Sequence, residues 1–175
     1  MKYILACAFL LGLSVSLAAQ TKEPQSTKYN FAALAMDGST IDTATLRGKV
    51  VVLNLWFVNC PNCIDEIKEL NQLVTAYQTN KDVVFVGLAA SRKADVEKFL
   101  KKNPFSYTII PDATGIILTK FGTPDEDGQI NVPFPMHLVL DRDGNAVVQV
   151  QGKKGIEAVK KELAGQFSTT QATTK

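Results

Sequence analysis

Two stretches of the chain, Val50 to Val58 and Val83 to Leu88, are apolar almost throughout and rich in β-branched residues. A strand with one wet face would alternate polar and apolar positions, so these runs predict strands buried on both faces. Only Asn54 interrupts the first run. Between the two runs the period changes. Cys63, Ile67, Leu70, Val74 and Tyr77 recur every three or four residues, with Asp65, Glu66, Lys68 and Glu69 on other faces. That spacing predicts an amphipathic helix with one stripe packed on the sheet. Ser91 stands where it would cap a second helix over Ala94 to Lys102. Strand, helix, strand, helix predicts a core of parallel strands.

Simpler units flank this core. Phe31, Leu34 and Ile41 surround Met36-Asp37-Gly38-Ser39, whose Asp-Gly pair predicts an N-terminal β-hairpin. Tyr107 to Ile110 reads as a short strand closed by Pro111-Asp112, and Thr114 to Phe121 as a short helix. Thr123 to Gly128 reads as a charged loop. Strands at His137 to Leu140 and Ala146 to Val150 are predicted to pair antiparallel around Asp141-Arg142-Asp143-Gly144. A helix over Ile156 to Leu163 closes the fold, and residues 165–175, rich in Ser, Thr and Gln, are predicted to be a disordered tail.

At the other end, Met1-Lys2-Tyr3 gives a positive start, Ile4 to Leu17 an apolar core and Ser16-Leu17-Ala18-Ala19 small residues for cleavage. This is the pattern of a secretory signal peptide over residues 1–19, followed by a polar linker over 20–28. The apolar stretch falls short of the ~20 residues a spanning helix needs, though an uncleaved segment would act as a membrane tether. Most of the apolar core follows Cys7, which argues against lipid attachment there. Removing the leader leaves one domain of roughly 155 residues, residues 29–164 at its core, large enough to bury its own interior. The 19 Lys and Arg lose Lys2 with the leader and become 18 against 17 Asp and Glu. So even a charge balance implies no nucleic-acid partner. Lys101-Lys102 and Lys160-Lys161 read as solvated pairs at helix ends.

Of the three cysteines, only Cys60 and Cys63 survive removal of the leader, and they stand as Cys-x-x-Cys where the first buried strand meets its helix. The first N–H groups of a helix lack internal partners and favour an anion. A thiolate in such a setting has a pKa of roughly 3.5 to 7.5 in place of about 8.5, so it is nucleophilic near neutral pH. Pro61 suits the first helical position, where its missing N–H costs nothing. Cys60 is therefore expected to attack, and Cys63, one turn on and facing the packed side, to resolve. Three plainer explanations compete. A structural bridge would close too short a loop to constrain the unfolded chain much. A structural zinc site needs about four ligands, and one Cys pair with one histidine falls short. Two inert buried thiols fit poorly with the strand-to-helix position.

Trp56 with the Cys-x-x-Cys, Pro135 ahead of a strand and the Asp141 to Gly144 hairpin together resemble the thioredoxin fold, specifically the TlpA/ResA-like exported thiol–disulfide oxidoreductases. Leu53-Asn54-Leu55-Trp56 is similar to that family's Leu-Asn-Phe-Trp, and Glu66 matches its glutamate three residues past the second cysteine. The resemblance covers roughly Tyr29 to Ala164. It implies an α/β fold with a central mixed sheet flanked by helices, an N-terminal hairpin and an inserted strand-helix segment between Val83 and Phe121. It also implies a redox-active Cys60–Cys63 disulfide, a cis Pro135 (Pro133 being the weaker candidate), and Glu66 as acceptor of the Cys63 proton. Trp56, Pro61, Asn62 and Phe134 are its substrate-facing residues. No cofactor is implied. The partners are protein thiols and disulfides and a membrane thiol-electron carrier, and the expected state is a monomer in an extracytoplasmic, periplasmic-type compartment.

Departures are visible. Asn59 stands where the family usually has Trp, Lys68 where a proline often follows, and Met136-His137 where small hydroxyl residues are usual. Two further chemistries stay open. Cys60, Cys63 and His137, the only histidine, resemble a Sco-like copper site, although that family spaces its cysteines one residue wider. A peroxiredoxin shares the central architecture, but Asn54 to Asn59 lacks the proline and threonine expected ahead of a peroxidatic cysteine.

Overall fold

The computed structural model describes residues 27–168, so the predicted leader, most of the linker and residues 169–175 lie outside the described residues. In chain order the elements are β1 (Ala32–Leu34), β2 (Thr40–Asp42), β3 (Val50–Trp56), α1 (Pro61–Asp65), α2 (Ile67–Tyr77), β4 (Val83–Ala89) and α3 (Lys93–Leu100). There follow β5 (Thr108–Ile110), α4 (Thr114–Phe121), β6 (Thr123–Pro124), β7 (Ile130–Asn131), β8 (Met136–Leu140), β9 (Ala146–Gln151) and α5 (Lys154–Ser168).

The five-stranded sheet has the order β5-β4-β3-β8-β9, with β3 in the centre and all seven of its residues buried. β4 runs parallel to β3 and β5 parallel to β4, whereas β8 and β9 are antiparallel to their neighbours. The sheet is mixed because a helical crossover returns the chain parallel while the short Asp141 to Gly144 turn reverses it. Alternation along β3 divides the core into two layers. Val51, Leu53 and Leu55 pack with Tyr29, Phe31, Ile117 and Phe121 on one face. Val50 and Val52 pack with Leu73, Val159 and Leu163 on the other.

The N-terminal hairpin forms as the sequence predicts, β1 antiparallel to β2. Its turn needs a residue at positive φ, supplied by Gly38 at +85°. Asp37 accepts hydrogen bonds from the backbone and hydroxyl of Ser39, which hold its carboxyl below the usual range.

Several expectations change. The single helix predicted from the Cys-x-x-Cys through Tyr77 is two helices, interrupted at Glu66. Ser91 caps nothing. Arg92 is the N-cap of α3, and the Ser91 hydroxyl instead accepts the Val58 N–H at 3.1 Å, pinning the loop before Cys60. The charged loop closes as a small hairpin, because the Asp125 carboxylate accepts the backbone N–H groups of Asp127 and Gln129 and the side chain of Asn131. At the C-terminus α5 continues to Ser168, past the residue-165 boundary predicted for a disordered tail. An aromatic contact accounts for the extension: the Phe167 ring lies 6.0 Å from that of Tyr77 and 5.3 Å from the Arg142 guanidinium. Lys160-Lys161 is not a helix-end pair. Lys160 sits inside α5 and bridges Glu157 to Glu69 of α2.

Candidate active site

β3 delivers the chain into a short loop, Phe57 to Asn59, and Cys60 becomes the N-cap of α1 with Pro61 in the first turn. Cys60 and Cys63 form a disulfide. Cys60 Sγ also accepts the backbone N–H of Cys63 at 3.2 Å, so the sulfur satisfies one of the unpaired donors of the first turn. Both cysteines are buried to the same extent, 4% exposed, so in the oxidised form exposure does not separate an attacking from a resolving thiol.

The peptide bond between Phe134 and Pro135 is cis, and it is Pro135, not Pro133, that adopts this form. Phe134 packs against the cluster that contains Cys60, Cys63 and Trp56, its ring edge-on to Phe57 at 5.3 Å. Pro61 and Asn62 are exposed beside the disulfide, as a substrate-facing role requires, and so is Ile64. Trp56 corrects its expected role. It is 1% exposed, stacked on Phe105 at 4.8 Å and close to Phe99 at 5.3 Å, so it supports the site from beneath and presents no surface to a substrate. Two open grooves flank the Cys loop and share Lys102 and Asn103: one along Ile64, Ile67 and Lys68, the other along Val58, Asn59 and Lys98.

Glu66 sits three residues past Cys63. It is 3% exposed, not a surface carboxylate. Its Oε2 lies 2.9 Å from Nε2 of His137, which is fully buried on β8. Asn54 is in register with His137 across β3 and β8, and its Oδ1 accepts the Tyr107 hydroxyl at 3.1 Å. Burial pushes the Tyr107 phenol well above its ordinary range, and the negative charge of Glu66 adds to the shift. Sequence reasoning named Glu66 and His137 separately and missed that they pair. A signal existed: Cys63, Glu66, Leu70 and Leu73 share helical spacing, and all four are buried.

This pairing also bears on the copper alternative. His137 is bonded to Glu66, and among the described residues no group of three or more His, Cys, Asp or Glu is placed to hold a metal ion. Cys60, Cys63 and His137 are not assembled as a ligand set.

A sequence profile of the AhpC/TSA family matches residues 25–149. The thiol-disulfide oxidoreductase ResA of Bacillus thuringiensis subsp. konkukian is 26% identical over 135 residues, 77% of this chain and 73% of the relative. The soluble secreted antigen MPT53 of Mycobacterium tuberculosis is 35% identical over 100 residues, 55% of each chain. Among solved structures, a secreted M. tuberculosis disulfide oxidoreductase homologous to E. coli DsbE superposes with a TM-score of 0.61 at 26% identity, over 79% of this chain and 97% of that one.

Proposed function

This chain belongs to the AhpC/TSA family and is a thioredoxin-like thiol–disulfide oxidoreductase, and on that premise we propose that it is exported and works as a reductant of protein disulfides. The observation that carries the exchange chemistry is the Cys60–Cys63 disulfide capping a helix in the same packed cluster as Phe134, at the cis Phe134–Pro135 bond. Export rests on the leader-like residues 1–19 and on relatives described as secreted.

In the reduced protein the Cys60 thiolate, favoured by the Cys63 N–H aimed at its sulfur, attacks a substrate disulfide. A Cys60–substrate bond forms and one substrate sulfur leaves as thiolate. Cys63 then gives its proton to Glu66, and its sulfur attacks Cys60 Sγ. The Cys60–Cys63 bond forms, the second substrate sulfur leaves with the electron pair, and both substrate thiolates take protons from water. A dithiol carrier on the membrane side restores the reduced pair. Substrate lies across Pro61, Asn62 and Phe134, where the wall of Pro135 has no N–H to compete for hydrogen bonds.

The test is the reduction potential of the pair, equilibrated in thiol buffers and read by alkylation and mass. A value near about −270 mV supports a reductant, while one near −120 mV means a donor of disulfides. Failure to form a reversible disulfide ends the proposal. Glu66→Gln is expected to slow release of substrate from the Cys60-linked intermediate; unchanged release removes Glu66 from the mechanism.

A further inference from the structure

The exchange steps above use Glu66 but not the residue it touches. His137 is the most enclosed polar side chain among the described residues, at 0% exposure. Its ring is pressed against the start of α5: a Cβ at Gly155 would stand 2.1 Å from Cδ2 and 2.8 Å from Cγ of the imidazole. A buried imidazole–carboxylate pair seldom repays its desolvation, and apolar residues of similar volume would serve the fold as well or better. The pair therefore calls for a reason beyond packing.

Its geometry supplies one. To take the Cys63 proton Glu66 must act as a carboxylate, which only accepts hydrogen bonds, and in that role its 2.9 Å contact has Nε2 of His137 as the donor. One oxygen of Glu66 is then held and the other, Oε1, has no partner among the described residues; nor has Nδ1 of His137. Residues three apart on a helical turn share a face, which puts Glu66 beside Cys63, and both side chains are buried.

We propose that His137 is a positioning residue for the resolving step: it donates Nε2–H to Oε2 of Glu66 and so leaves Oε1 as the atom that takes the Cys63 proton. The proposal rests on the role given to Glu66 above. In the step, the S–H bond of Cys63 breaks and an O–H bond forms at Oε1. The sulfur keeps the electron pair and attacks Cys60, and the substrate sulfur leaves with the pair of the broken disulfide. His137 keeps its Nε2 proton in the step and transfers none. The surroundings fit. From just before β5 the Tyr107 hydroxyl reaches Asn54 and is held in its neutral form, from α5 the facing residue is Gly155, and in β9 the register neighbour is Val150. The charged pair Lys153 and Asp65 is exposed to solvent.

Because His137 is the only histidine, its ring nitrogens can be observed by NMR in untagged 15N-labelled protein without ambiguity. The expected signature is the Nε2–H tautomer in both oxidised and reduced protein. The Nδ1–H tautomer in either form overturns the proposal. Kinetics give a second, independent test. With 5,5′-dithiobis(2-nitrobenzoate), the Cys60 thiolate forms the mixed disulfide and displaces one 5-thio-2-nitrobenzoate in a first phase, and Cys63 displaces the second in the release phase. His137→Leu is expected to leave formation within about twofold and to slow release about tenfold or more, below the full contribution of a positioned acid–base group. His137→Gln, which retains an N–H donor, is expected to restore most of the release rate. In Glu66→Gln the further change His137→Leu should add nothing. Wild-type release in His137→Leu, or additive losses in the double variant, overturns the role of His137 alone. Absence of release in every protein, wild type included, is instead a failure of the exchange mechanism.

Discussion

Gly155→Ala tests the packing beneath the site, since one methyl group is placed against one imidazole. The added Cβ would meet Cδ2, Cγ and Cβ of His137 at 2.1, 2.8 and 3.1 Å. Carbon atoms pack comfortably at about 3.5–4.0 Å, so the ring must retreat by about 1.4 Å or the start of α5 must lift by as much. A shift of that size is enough to open the 2.9 Å bond to Glu66. Overpacking costs about 1–3 kcal/mol, and loss of a hydrogen bond to a charged group about 1.5–3 kcal/mol. Against this stands the gain from replacing a helical glycine, at most about 1 kcal/mol and less in a first turn. The losses win, by roughly 1.5–5 kcal/mol. Gly165, in the same helix, is the control: a Cβ there meets nothing within 4 Å, and Gly165→Ala should stabilise by about 0.5–1 kcal/mol. Urea unfolding followed through Trp56, the only tryptophan, measures both. Gly155→Ala as stable as the wild type, or two variants moving together, would refute the claim that Gly155 is kept small for His137.

Other sites give sharper single outcomes. Tyr107→Phe removes the donor to Asn54, whose Nδ2 already lacks a partner among the described residues, and should cost about 1–3 kcal/mol in the same urea assay. Because folding raises the Tyr107 phenol, its contribution to stability is full below the unfolded value near about pH 10 and is lost as pH rises through the higher folded value. Absorbance at 295 nm should therefore show a late-titrating phenol that Tyr107→Phe lacks. Ser91→Ala deprives the Val58 N–H of its acceptor and should destabilise by about 0.5–1.5 kcal/mol, with faster hydrogen exchange at Val58. Leu163→Ala, at a fully buried position on α5, should cost about 2–5 kcal/mol with no change in the thiol chemistry; a cost under 1 kcal/mol would mean that α5 is not part of the core.

The two central strands, the Asp37-Gly38 hairpin and the residues 114–121 helix were legible because each is written in local periodicity or turn chemistry. The Cys-x-x-Cys was legible as chemistry because it stands at a strand-to-helix junction. What was hidden depends on partners far away in sequence. Ser91 looks like a cap until Val58, 33 positions distant, offers it an N–H. Phe167 looks like the start of a tail until Tyr77 and Arg142 are brought beneath it. Trp56 next to the cysteines reads as a contact for substrate, and only the rings of Phe99 and Phe105 show that it faces inward.

The buried polar group follows from register rather than from any one residue. Asn54 breaks an otherwise apolar run, Gly87 leaves a gap in the next strand, and His137 is a lone histidine in β8; each is a minor oddity by itself. Strand pairing sets Asn54 opposite Gly87 on one side and His137 on the other, and Gly87 opposite Ile109. Side chains paired in this way lie on one face, so the three oddities form a single row across the sheet. The row holds the Tyr107 hydroxyl on Asn54 and the Glu66 carboxylate on His137, while Gly87 leaves room for the Ile109 side chain and the Trp56 and Tyr107 rings, whose nearest atoms lie 2.6, 3.2 and 3.2 Å from where its Cβ would be. A one-residue slip of β8 against β3 would replace His137 with Met136 or Leu138 and turn the imidazole to the opposite face. The site therefore needs the sheet in this register, and the long apolar runs that made the fold legible are also what fix it.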